Sequence, residues 1–139
     1  ENYAGKITED FIDKNIKIKN FESTSSAKLE IETLLWALKE AGTLIEDLKN
    51  AKTIVYTDSQ NILGLLTRRE RLEQNNYISK RSNKELENSN LYKKFYELTD
   101  NLNCSFIKLK GHSRAVDKNK IDKIFTRVDR AARRAIRKN

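Results

Sequence analysis

Thr53-Ile54-Val55-Tyr56-Thr57-Asp58-Ser59-Gln60 passes without a break into Asn61-Ile62-Leu63-Gly64-Leu65-Leu66. The first run is β-branched and aromatic, which suits a strand, and the second suits a helix. Such a join puts Asp58 at the carboxyl end of a strand, where ligands and metals are met in an open α/β sheet. An acid at that rim, with its oxygens facing out, is placed to hold a divalent cation. The other reading is a helix cap, because Asp and Ser are both favoured just before a helix. Spacing alone leaves both open.

The 139 residues suffice for one domain that buries a core without a disulfide or metal staple. Cys104 is the single cysteine, so no internal disulfide and no multi-cysteine zinc site can form. It opens an expected strand over residues 104–110 and reads as a small packed hydrophobe. One histidine and one thiol also disfavour soft metal chemistry. No apolar run approaches the roughly 18 residues of a membrane span, and no signal-like start is present. The expectation is a cytoplasmic monomer with no membrane partner. Lys and Arg number 28 against 20 Asp and Glu, a net charge of +8. That excess favours a polyanionic partner through phosphate contacts and counterion release.

Neither repeats nor proline nor low-complexity tracts divide the chain, so residues 1–139 read as a single domain. Residues 3–8 and 15–22 are expected as two strands joined by a polar turn over residues 9–14. Ser23-Thr24-Ser25-Ser26 offers several caps for a long helix. On it Ile31, Leu34, Leu35, Leu38, Ala41 and Ile45 share one stripe, and Glu30 falls on its rim. Leu29 and Trp36 lie opposite, and Trp36 reads as packing. After a short helix from Gln60, residues 67–84 gather Arg68, Arg69, Arg71, Lys80, Arg81 and Lys84 around Asn75, Asn76 and Tyr77. A charge run is usually a solvated face; amides and an aromatic among these cations also suit nucleic-acid backbone contacts. Leu91, Phe95, Leu98 and Leu102 mark a core-facing helix opened by Asn88 or Ser89. A last helix from about Lys120 is expected to bury Ile121, Ile124, Phe125, Val128, Ala132, Ala135 and Ile136, with Asp129 on the rim. Three rim acids, Glu30, Asp58 and Asp129, could therefore converge.

These motifs resemble the ribonuclease H family. Ser25-Ser26-Ala27-Lys28-Leu29-Glu30, with Leu34-Leu35-Trp36-Ala37-Leu38, is similar to the family's first helix and its catalytic Glu. Thr57-Asp58-Ser59-Gln60 resembles the strand-end Asp motif and is the most specific match. Lys110-Gly111-His112 resembles the mobile His loop, and Val128-Asp129-Arg130-Ala131-Ala132 the Asp motif of the last helix. The matches occur in the family's order across nearly the whole chain. The segment from His112 to Asp129 looks longer than in compact bacterial members. The family's opening strand, with its first catalytic Asp, finds no counterpart in residues 1–139, and the expectation is an Asp-bearing strand upstream of Glu1.

The resemblance implies an α/β fold, a mixed sheet with helices on both faces, and hydrolysis of the RNA strand of RNA·DNA hybrids. It implies two Mg²⁺ ions about 4 Å apart, with Mn²⁺ as a substitute, activating water and stabilising the leaving 3′ oxygen. Hard cations call for carboxylates, so Glu30, Asp58 and Asp129 would be metal ligands as well as catalytic residues. Asp58 would hold the water-side ion with the upstream Asp, Glu30 the other ion, and His112 would move a proton or assist product release. Ser25, Ser26 and Gln60 are the candidates for 2′-hydroxyl contacts. Arg68, Arg69, Lys80, Arg81 and Lys84 are the candidates for phosphates. The rival is a non-catalytic nucleic-acid-binding domain that keeps the fold without the metal site.

Overall fold

The structure is a computed structural model that describes residues 8–22, 25–109 and 120–138. They fall into two compact units. One comprises residues 21–108, the other residues 1–20 with 109–139.

In the larger unit the chain runs α2 (Ser26–Leu44), β1 (Thr53–Thr57), α3 (Gln60–Gln74), α4 (Ser89–Asn101) and β2 (Cys104–Lys108). The two strands pair in parallel with Val55 opposite Phe106, and α3 and α4 make the crossover that parallel pairing requires. Side chains along β1 alternate between half-buried and exposed, with Val55 inward and Ile54 and Tyr56 outward. The main core joins Ile31 and Leu35 of α2, Ile62, Leu65 and Leu72 of α3, and Phe95 and Tyr96 of α4. A second cluster, Leu38, Leu48 and Leu102, takes in Val55 and Cys104. Burial there pushes the Cys104 thiol pKa up, which suits the expected packing role. Trp36 packs edge-on against Phe21 at 6.4 Å, as its assignment to packing implied. The expected α2 stripe holds as far as Ala41, whereas Ile45 caps the helix and is exposed.

Thr53 carries a buried hydroxyl oxygen with no hydrogen-bond partner among the described residues. Thr53→Val replaces it with a methyl of the same shape, so the desolvation cost disappears. We expect a gain of about 1 kcal/mol, read as a higher urea midpoint at unchanged slope.

Residues 67–84 differ from expectation. The helix from Gln60 is not short: it continues through Arg68, Arg69 and Arg71 to Gln74. Two contacts explain this. Arg69 bonds Glu73 one turn on at 2.5 Å, and its two terminal nitrogens grip both oxygens of Asp100 at 2.7 Å each. Its guanidinium also lies 4.8 Å from the Tyr96 ring centroid. Beyond the helix, Asn76 and Tyr77 adopt positive φ and reverse the chain. Residues 79–84 then close a turn in which the amide of Ser79 donates to the carbonyl of Lys84 at 2.8 Å. Lys80, Arg81 and Lys84 are exposed on it.

Arg69 holds the Asp100 carboxyl below its ordinary pKa through its hydrogen bonds. A carboxylate depressed in the folded state contributes stability above its unfolded pKa, and loses it as pH falls through the folded value. Asp100→Asn should therefore flatten the acid limb of the stability curve below about pH 4. Urea unfolding from pH 6 to 2 checks this; an acid limb as steep as that of the parent chain would contradict it.

The smaller unit contains α1 (Glu9–Asn15) and α5 (Lys120–Lys138), which touch. Two expectations are corrected here. Residues 9–14 form a helix rather than a turn, because the Thr8 hydroxyl accepts from the Phe11 amide at 3.1 Å and caps it. Residues 15–22 form no strand: Asn15 ends that helix, and residues 16–22 pair with no other strand among the described residues. Most of the expected strand over residues 3–8 lies outside the described residues. The last helix begins at Lys120 as expected, with Ile121, Ile124, Phe125 and Ala135 half-buried. Val128 and Ala132, expected inside, are exposed.

Candidate active site

At the β1 end the chain leaves the sheet at Thr57, and Ser59 becomes the cap of α3. Its hydroxyl accepts from the Ile62 amide at 3.2 Å, while its own amide donates to the Thr57 hydroxyl at 3.0 Å. Of the two capping candidates the helix uses the serine. Asp58 is exposed and makes no hydrogen bond or ion pair among the described residues. The strand-end acid thus keeps its oxygens available, as the metal-holding reading requires.

Glu30 reaches the same place from α2. Its Oε2 accepts from the Ser59 hydroxyl at 2.5 Å and from the Asn61 side-chain amide at 2.9 Å. Ser59 thus has two tasks: its lone pairs cap α3 and its proton holds Glu30. Both partners follow Asp58 within three residues, so the Glu30 carboxylate is anchored to the start of α3, directly after Asp58. Sequence reasoning proposed Ser25, Ser26 and Gln60 beside the acids and missed Ser59 and Asn61. The cap preference of Ser59 was visible, but nothing in the sequence showed that its proton reaches a carboxylate 29 residues away.

Ser25 caps α2, its hydroxyl accepting from the Lys28 amide at 3.2 Å. Ser26 stands four residues before Glu30 on the same helix face, and Gln60 opens α3; both are exposed. Among the phosphate candidates, Arg69 is committed to Asp100 and Glu73, and Arg68 lies 5.8 Å from the Tyr92 ring centroid.

Asp129 belongs to the smaller unit, on α5, where Arg133 one turn on holds it at 3.1 Å. His112 lies outside the described residues. Among the described residues no three His, Cys, Asp or Glu side chains are gathered as a metal site. No helix among them is long and apolar enough to cross a membrane.

A family model described as RNase H matches residues 2–137. No curated protein and no solved structure matches the chain.

Proposed function

The chain belongs to the ribonuclease H family, and on that premise we propose that it hydrolyses the RNA strand of RNA·DNA hybrids, with Glu30, Asp58 and Asp129 as ligands for divalent cations. Family membership by itself gives an α/β nuclease of the ribonuclease H kind, acting in general on RNA·DNA hybrids with divalent metal. The finer assignment rests on one observation: Glu30 is held by hydrogen bonds to Ser59 and Asn61, which follow Asp58 within three residues.

The donor set fits a hard cation. Both acids of the larger unit offer carboxylate oxygens, and no thiol or imidazole stands between them in the chain. Two Mg²⁺ ions, or Mn²⁺ in their place, would supply a water activated as nucleophile and charge compensation at the leaving 3′ oxygen. Ser59 and Asn61 fix one oxygen of Glu30 and so aim the other. Outer partners of this sort commonly govern affinity and activity by 10–100-fold. Asp129 would be a further cation ligand, and His112 would move a proton or assist product release. Arg68, Lys80, Arg81 and Lys84 would meet phosphates, while Ser25, Ser26 and Gln60 would read 2′-hydroxyls. A cytoplasmic monomer is the form proposed.

The test is a hybrid labelled separately on each strand, incubated with Mg²⁺ or with chelator. RNA-strand fragments with Mg²⁺ alone are expected, with the DNA strand intact. A hybrid that is bound but left whole in both Mg²⁺ and Mn²⁺ would refute the nuclease reading and favour a binding domain.

A further inference from the structure

Helix α5 carries eight basic residues against two acidic ones, most of the net charge of +8. Its cations are not scattered. At 100° per residue Lys123, Arg127, Arg130 and Arg134 fall within a stripe about 60° wide. They repeat every three or four residues over roughly 16 Å of helix. Beside this stripe, within the smaller unit, lies a cleft of about 370 Å³ lined by Arg127, Arg130, Arg133, Arg134 and Asp13 of α1. Among the described residues, four guanidinium groups there meet two carboxylates, Asp13 on the cleft wall and Asp129 behind Arg133.

These groups are differently engaged. Asp13 grips Arg127 through two bonds, at 3.0 and 2.5 Å. Arg133 is held by Asp129. Arg130 and Arg134 are exposed and form no ion pair among the described residues. The Arg127 bonds hold the Asp13 carboxyl below its ordinary pKa, and Arg134 adds to this through space. Asp13 thus offsets Arg127, and Arg130 and Arg134 leave the cleft with an excess of positive charge.

We propose that this arginine-walled cleft, bordered by Asp129 through Arg133, binds the phosphate backbone of a nucleic acid by charge and without bound metal. Guanidinium forks match phosphate oxygens in pairs, which lysine cannot do. A free phosphate would occupy one end of the stripe, whereas a backbone offers charge at every step along it. An anionic membrane is the other extended polyanion. It would call on the apolar side of α5, where Val128 and Ala132 are exposed but the larger Ile121, Ile124 and Phe125 are half-buried, in a helix that packs on α1. The contact does not depend on cleavage, so its failure and that of the nuclease assignment are separable.

The test measures affinity for a labelled 20-base-pair hybrid in chelator, as a function of salt, for the parent chain and for Arg130→Gln/Arg134→Gln. Removing one phosphate-binding cation lowers the log–log salt slope by about 0.9, so the double variant should show a slope shallower by about 1.8 and bind roughly 60-fold more weakly at 0.1 M salt. Arg130→Lys/Arg134→Lys should keep the slope, because the charges remain. Asp13→Asn removes the competing acid and should tighten binding. Inorganic phosphate should compete only weakly, and vesicles containing phosphatidylserine should not be bound. An unchanged slope in the Gln variant, with its thermal unfolding also unchanged, would overturn the proposal. So would weakened binding seen only with vesicles.

Discussion

Asp58→Asn is expected to abolish Mg²⁺-dependent cleavage of the RNA strand while leaving hybrid binding in chelator unchanged. The substitution keeps the size and shape of the side chain and removes the charge that a hard cation needs. Because Asp58 is exposed and makes no hydrogen bond or ion pair among the described residues, the change costs the fold little. The loss should exceed the 10–100-fold typical of an outer partner. Asn61→Ala, which deletes one such partner of Glu30, should fall within that range. Single-turnover rates at saturating hybrid check both. Equal losses for the two variants would mean that Asp58 acts only through the loop.

Phe95→Ala should cost about 3–5 kcal/mol of folding stability. Phe95 is fully buried, with ring centroids 5.4 Å from Tyr96 and 5.8 Å from Phe106. It therefore joins α4 to β2 within the cluster that also holds Ile31 of α2 and Ile62 of α3. A cavity there loosens the elements that carry Glu30 and Asp58, so cleavage should fail at a lower temperature than in the parent chain. Domain stabilities run to roughly 5–15 kcal/mol, so a large part of the total is at stake. Urea unfolding measures the loss, and a value below about 1 kcal/mol would show that the site refills on truncation.

Features set by local chemistry were legible in the sequence. The α2 stripe and the Leu91-to-Leu102 face follow from periodicity, and the starts of α2 and α3 from the caps Ser25 and Ser59. What depends on partners distant in sequence was not. Arg69 reads as a cation among cations, yet Asp100, 31 residues on, makes it a brace between α3 and α4. That brace and the Glu73 pair lie along the helix up to Gln74, in a stretch whose charge suggested only a solvated face or nucleic-acid contacts. At residues 8–15 alternation and polarity suggested a strand end and a turn, but the Thr8 cap wins there. At the site, Asp58 and Ser59 were equivalent capping candidates on composition. The carboxylate of Glu30 separates them, since only a hydroxyl can cap α3 and donate to an acid at once.

The central claim is that the acids at the end of β1 hold the cation. Mn²⁺ titrated into ¹⁵N-labelled protein tests it independently of turnover, because the ion broadens the signals of nearby amides. The amides around Asp58, Ser59 and Glu30 are expected to broaden first, and Asp58→Asn to suppress the effect. Broadening centred elsewhere, or broadening at these amides that survives Asp58→Asn unchanged, would contradict it.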